Sequence, residues 1–126
     1  YSFNRIHLLA VALKNLRLIQ DLGVAYTILS KNNLDKYDYK KGDTEGFVNF
    51  GLRIKGVCVS VIFIEHSEEN IIKISFRSKD KIDVNKFAKK YFNGGGHKNA
   101  SGGFSNDSMI ETENKFVSSI KEFLEP

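Results

Sequence analysis

Ten residues, Gly94-Gly95-Gly96-His97-Lys98-Asn99-Ala100-Ser101-Gly102-Gly103, concentrate what this chain offers for chemistry. Three consecutive glycines let the backbone turn through positive φ and approach a ligand with no Cβ in the way. Exposed amides in such a loop can cradle an anion, most readily where a helix starts just after it. His97 and Lys98 bring a titratable donor and a fixed positive charge to the same place. Five glycines in ten residues cost backbone entropy on folding, so the segment answers a demand beyond simple connection.

The charge distribution points the same way. Between Ile71 and Asn99 there are eight basic residues and two acids, a net +6, while the whole chain carries +4 and the remainder therefore −2. The basic stretch runs into the glycine-rich loop, so a phosphate-bearing or otherwise anionic ligand is the expected partner. Arg77 closes an alternating run in which Ile72, Ile74 and Phe76 take one face and Lys73, Ser75 and Arg77 the other. Its planar fork of donors matches phosphate. If the loop folds back over that strand end, Arg77, His97 and the loop amides from Gly94 to Gly96 converge. The competing readings are a flexible surface loop, a solvated basic face and a strand-end arginine in a surface ion pair.

Other chemistries find less support. His7, His66 and His97 stand apart, no CxxC occurs, and Glu45, Glu65, Glu68 and Glu69 form no recognisable ligand set, so no metal site is expected in this chain. No nucleophile elbow is present, and the glycine loop lacks the GK[ST] ending of a phosphate-binding Walker loop.

The elements that must position these residues follow from periodicity and caps. Ser2 caps a first helix with Ile6, Leu9, Ala10 and Leu13 at helical spacing. Leu16–Leu22 and Val24–Ser30 read as strands parted near Gly23. Lys31–Asp43 reads as a short helix and a loop, and Thr44–Leu52 as a short helix capped by Asp43 or Thr44. Val57–Glu65 is a β-branched apolar run, expected of a strand buried on both faces. His66–Asn70 joins it to the strand Ile71–Arg77. Asp83 caps a helix carrying Val84, Phe87, Ala88, Tyr91 and Phe92, which delivers the chain into the glycine loop. Gly103–Ser105 is one more short strand. Ser108 and Glu111 form a capping box for a last helix with Ile110, Phe116, Val117, Ile120 and Phe123 facing inward. This order predicts an α/β or α+β fold, a mixed sheet of about five strands with helices packed on it.

With 126 residues the chain is expected to form one domain, residues 1–126. No apolar run approaches the ~20 residues of a membrane span. The single cysteine, Cys58, sits in the apolar run and reads as a buried structural thiol, which fits a cytoplasmic setting. The chain opens on Tyr1 rather than Met, so a cut is expected there.

At three places the sequence resembles a known family. Ile74-Ser75-Phe76-Arg77-Ser78-Lys79, Val84-Asn85-Lys86-Phe87-Ala88 and Gly94-Gly95-Gly96-His97-Lys98-Asn99-Ala100-Ser101-Gly102 are similar, in order, to the C-terminal DHH-associated domain of DHH-family phosphoesterases. Asp43 to Asn49 resembles the start of that domain. The nearest branch is that of bifunctional oligoribonucleases and pAp phosphatases, also called exopolyphosphatase-related. The resemblance implies a substrate-binding half of a two-domain enzyme. Its N-terminal DHH domain, whose signature is absent from this chain, would hold two divalent metals, usually manganese, and hydrolyse short single-stranded RNA or DNA or a nucleotide phosphate. It also implies that Arg77, Gly95, Gly96 and His97, with Asn99 and Ser101 beside them, contact substrate. Two rival readings are the RNA-binding C-terminal domain of an alanyl-tRNA synthetase-like or editing protein, and a non-enzymatic single-strand nucleic-acid module. The latter usually interleaves exposed aromatics with bases, whereas most aromatics here fall on expected core stripes.

Overall fold

The computed structural model describes residues 1–66 and 68–126. Its elements are α1 (Phe3–Lys14), β1 (Arg17–Ile19), β2 (Val24–Leu29), α2 (Lys31–Lys36), a 3₁₀ segment (Phe47–Arg53), β3 (Val59–His66), β4 (Ile71–Ser78), α3 (Val84–Tyr91), β5 (Gly95–His97), β6 (Ala100–Ser105) and α4 (Met109–Leu124). The strands form one mixed sheet in the order β1-β2-β3-β4-β6-β5. Only β2 and β3 run parallel; the other neighbours are antiparallel. The architecture is the expected one, with six strands rather than about five. The sixth comes from the glycine run. What reads as a loop is the hairpin β5–β6, turning at Lys98 and Asn99, and no helix starts just after its glycines.

Both faces of β3 are buried, as its unbroken apolar run predicts. On one face Val59, Val61 and Phe63 join Ile72, Ile74 and Phe76 of β4 beneath α3 and α4, with Phe87, Phe92, Phe116 and Ile120 filling the layer. On the other, Ile62 and Ile64 meet Leu8 and Ala12 of α1, Leu34 of α2 and Phe47 and Val48 of the 3₁₀ segment. Ser2, Asp83 and Ser108 cap their helices as expected, each accepting a backbone N–H three residues on.

Several local expectations are corrected. Leu16–Leu22 is not one strand: β1 gives way to a 3₁₀ turn at Gln20–Leu22, ended by left-handed Gly23. β2 stops at Leu29, because Ser30 is the N-cap of α2. The 3₁₀ segment begins after Gly46, with φ +85°, and neither Asp43 nor Thr44 caps it. In α1 the buried residues are Leu8 and Ala12, while Ile6 and Leu13 are exposed. In α4 Thr112 and Ser119 share the buried face with Phe116 and Ile120, whereas Ile110 and Val117 point outward. Helical periodicity locates a stripe but does not say which of two apolar stripes the sheet takes. Cys58 is half-buried just ahead of β3, its N–H donating to Gly23 O at 2.7 Å. Ser67, between β3 and β4 in the chain, lies outside the described residues.

One ion-paired cluster ties the sheet edge to α4. Tyr26 on β2 donates to Glu113 Oε2 at 2.7 Å, and Arg17 on β1 pairs with the same oxygen. Burial alone would raise the Glu113 carboxyl, but the hydrogen bonds from Tyr26 and Arg17, with the Arg17 charge, outweigh it and hold the group below its ordinary value. The stability so supplied is present above the ordinary carboxylate range and is lost as pH falls through the lowered folded value. Glu113→Gln is therefore expected to lower stability at pH 7 by about 1 kcal/mol, the half-exposed Arg17 adding little. Denaturant midpoints of variant and wild type should converge as acid protonates Glu113; a gap that does not change with pH would assign the loss to shape instead of charge.

Candidate anion-binding face

Strand register decides which side chains meet. Arg77 of β4 is paired with Ala100 of β6, and Ala100 with His97 of β5. Residues opposite one another on adjacent strands share a face, so Arg77 and His97 stand on the same side of the sheet with only a methyl group between them. Two strand spacings put their backbones roughly 10 Å apart, a gap that two long side chains can close around an anion. The next row is Ser75, Gly102 and Gly95, and the one after it places Lys73 opposite Phe104. α1, α2 and the 3₁₀ segment cover this side of the sheet over β2 and β3 and the adjoining part of β4. The 3₁₀ segment sits on Ser60, the β3 partner of Arg77, whose hydroxyl donates to Val48 O at 2.6 Å. α3 packs beneath β5 and β6 on the opposite side. Ala100, Gly102 and Phe104 are consequently only half-buried and His97 is exposed. The result is an open shelf with a floor of small residues and Arg77 and His97 at one end.

Arg77 is half-buried and makes no ion pair among the described residues. One guanidinium nitrogen donates to Phe76 O at 2.9 Å, which fixes the side chain and leaves further donors of the fork free. Lys79 and Lys98 are exposed at the same end of the strands. The surface-ion-pair reading of Arg77 thus lacks its acid.

The glycines serve the backbone first. A Cβ on Gly94 would lie 1.8 Å from Gly102 O, so only glycine lets the chain enter β5 this close to β6. Gly96 has φ +153°, and its Cβ would sit 2.9 Å from Ala100 O. The expectation that glycine amides lie free for an anion is corrected for two of them. Gly94 N–H donates to Ala88 O at 3.2 Å, and Gly96 N–H donates to the side-chain oxygen of Asn85 at 2.8 Å. Asn85, on the first turn of α3, is a residue that sequence reasoning passed over; no periodic signal marks a side chain that tethers a sheet edge.

Asn99 and Ser101 are engaged internally. The Asn99 amide donates to Ser78 Oγ at 2.9 Å and also reaches Asp80 O and Ile82 O, pinning the turn to the β4–α3 connection. Ser101 is paired with Phe76, so it faces α3, away from Arg77 and His97, and it donates to Val84 O at 2.9 Å. They hold the hairpin in place while Arg77 and His97 project from the open side.

The deeper concavities lie elsewhere. A groove of about 610 Å³ at the far end of β4 is lined by Tyr39, His66 and Lys73 among other residues. Two of its three lysines are paired, Lys73 with Glu69 at 3.0 Å and Lys40 with Asp38 at 3.4 Å, and Lys41 shares the lining with four acids, Asp35, Asp38, Glu68 and Glu69. Burial, reinforced by Lys73, holds the His66 imidazole below its ordinary value and so neutral at pH 7. That groove offers an anion little. Among the described residues no group of three or more His, Cys, Asp or Glu side chains is placed to hold a metal ion, and no helix is long and apolar enough to cross a membrane.

This sheet, with its edge hairpin built on a GGGH run, defines a class. The family model of the DHHA1 domain matches residues 21–125, and the chain belongs to that family. Over 101 residues it is 33% identical to the bifunctional oligoribonuclease and PAP phosphatase NrnA of Bacillus subtilis, covering 80% of this chain and 31% of that protein. An exopolyphosphatase-related protein of Bacteroides fragilis superposes with a TM-score of 0.93 at 42% identity, over 98% of this chain and 36% of that one. A pGpG-specific phosphodiesterase of Vibrio cholerae, PggH, shares the fold, with a TM-score of 0.65 at 11% identity over 95% of this chain and 38% of that one. The chain spans 31% of NrnA and 36% of the Bacteroides protein, about a third of each.

Proposed function

We propose that residues 1–126 are a substrate-binding domain that holds the phosphate of a short oligonucleotide or a nucleotide phosphate such as pAp on the open β4-β6-β5 face. The observation that carries this reading is the row Arg77-Ala100-His97: an unpaired arginine and an exposed histidine on one face, separated by a single small residue. The similarity to NrnA supports the substrate class, and the exposed Lys79 and Lys98 add the long-range attraction expected of such a surface. Gly102, in the next row, carries no side chain to obstruct the shelf.

Hydrolysis belongs, on this reading, to a DHH domain of the same protein, which would supply divalent metal, manganese by resemblance. No three His, Cys, Asp or Glu side chains among the described residues are placed to hold that metal, so the share of this chain in the reaction is to bind and orient substrate. Holding a phosphate in one orientation removes much of the entropic barrier to attack on it. The chain by itself is expected to release no phosphate or mononucleotide from pAp or a dinucleotide.

The test is titration with a 5′-phosphorylated dinucleotide, followed by backbone chemical shifts and calorimetry. Shifts are expected at Arg77 and from Gly94 to Ala100, with affinity falling as salt rises. Arg77→Ala should weaken binding by about 1.5–3 kcal/mol, the range for hydrogen bonds to charged groups, with the fold intact. Shifts centred on α1 and Lys31–Lys41 would place the site elsewhere.

A further inference from the structure

We propose that Phe104 is a stacking platform for a nucleobase, set along β6 from the Arg77–His97 phosphate seat, so that the face takes at least a dinucleotide. The inference rests on the phosphate reading above and adds to it the side chain that would tell a nucleotide from a bare phosphate.

Ala100, Gly102 and Phe104 point to the same side of β6, because alternate residues of a strand share a face. Their partners put Arg77 and His97 beside Ala100, Ser75 and Gly95 beside Gly102, and Lys73 beside Phe104. From Ala100 to Phe104 is four residues, about 13 Å of strand. The middle of that span carries no side chain at Gly102 and Gly95 and only a hydroxymethyl group at Ser75. A sugar–phosphate backbone can therefore lie against the sheet between the charged end and the ring.

Phe104 is also an aromatic without a structural task. It belongs to neither hydrophobic core and pairs with no other ring among the described residues, whereas Phe63, Phe76, Phe87, Phe92 and Phe116 all do both or more. A half-exposed phenyl ring on an open sheet face, about 13 Å along the strand from the unpaired guanidinium of Arg77, offers a nucleobase an apolar surface of its own shape. The charge of the face selects the rest of the ligand. Arg77 and His97 are unpaired, and no acid occupies the three rows; Lys73, tied to Glu69, is not counted among the free cations.

The experiment compares two probes, 5′-phosphorylated diadenylate and inorganic tripolyphosphate, on wild type and on Phe104→Leu and Phe104→Trp. Leucine keeps the apolar bulk and removes the aromatic face; tryptophan keeps a stacking surface. Phe104→Leu is expected to weaken the dinucleotide roughly 5- to 100-fold, the range of one base–aromatic stack, and to leave tripolyphosphate within about twofold. Phe104→Trp should retain the dinucleotide. In wild type, contacts between adenine protons and the Phe104 ring should be seen by nuclear Overhauser effects, which needs no variant to fold. Unchanged dinucleotide affinity in Phe104→Leu, equal weakening of both probes, or no adenine–Phe104 contact would overturn the platform while leaving the phosphate seat standing. Wild type that binds neither probe would overturn the seat, and the platform with it.

Discussion

Gly94→Ala is expected to unseat the β5–β6 hairpin and, with it, to remove measurable binding of phosphodiesters. The added methyl group would stand 1.8 Å from Gly102 O and 2.6 Å from Gly103 Cα, both backbone atoms of the neighbouring strand. No rotamer change relieves such a clash, so β5 must move off β6. That movement breaks the Gly94 N–H bond to Ala88 O and carries His97 away from Arg77. Overpacking usually costs about 1–3 kcal/mol, and a contact against fixed backbone belongs at or above the top of that range. Gly102→Ala is the matched control. Its Cβ meets nothing closer than Ile74 O at 3.4 Å, so the fold should survive. The methyl group would nevertheless stand on the floor of the shelf, so binding should weaken in a folded protein. Thermal unfolding and dinucleotide titration of the two variants, measured together, check this; a stable Gly94→Ala that still binds would show that the hairpin does not need its close approach.

Phe87→Ala should give the largest loss of stability from a single core truncation. Phe87 is fully buried on α3 and contacts five other rings: Phe76, Tyr91, Phe92, Phe116 and Phe123, with centroids 5.1 to 6.0 Å apart. Removing it costs burial and leaves a cavity among rigid rings that cannot collapse into it, about 3–5 kcal/mol, out of the 5–15 kcal/mol typical of a domain. At about 3–5 °C per kcal/mol for a chain of this size, the melting temperature should fall by about 10–25 °C. Binding should weaken in parallel near the new melting point, because α3 is the support of β5 through Asn85 and Ala88. A drop of only a few degrees would mean that Phe92 and Phe123 repack into the space.

Phe87 also shows what was legible in advance. Its place on an inward stripe with Val84 and Ala88 follows from spacing alone, as do the Asp83 cap, the buried run of β3 and the alternation of β4. The same alternation put Arg77 and Ser75 on one face. Sequence order and local periodicity were enough there, because each of those signals is read within a few residues. The glycine run was not legible as structure. A strand of Gly95, Gly96 and His97 has no β-branched or aromatic residue to announce it; it is a strand only because β6 lies beside it and Gly94 lets it come close.

The chain's residue types and spacing thus determined the family signature, the caps, the positive segment and the candidates Arg77 and His97. Tertiary structure alone decided which candidates stand together. Register set His97 and Arg77 across Ala100 and turned Ser101 to the other face, committed Asn99 to Ser78, gave the amides of Gly94 and Gly96 to α3, and left Phe104 uncovered. The physical reason is that strand pairing joins residues far apart in the chain, and a shift of one residue would send every side chain to the opposite face. The same holds for α1 and α4. α1 buries Leu8 and Ala12 and leaves Ile6 and Leu13 outside, and α4 buries Thr112 and Ser119 beside the expected Phe116 and Ile120 while Ile110 and Val117 face outward, because the sheet each helix packs on sets its rotation.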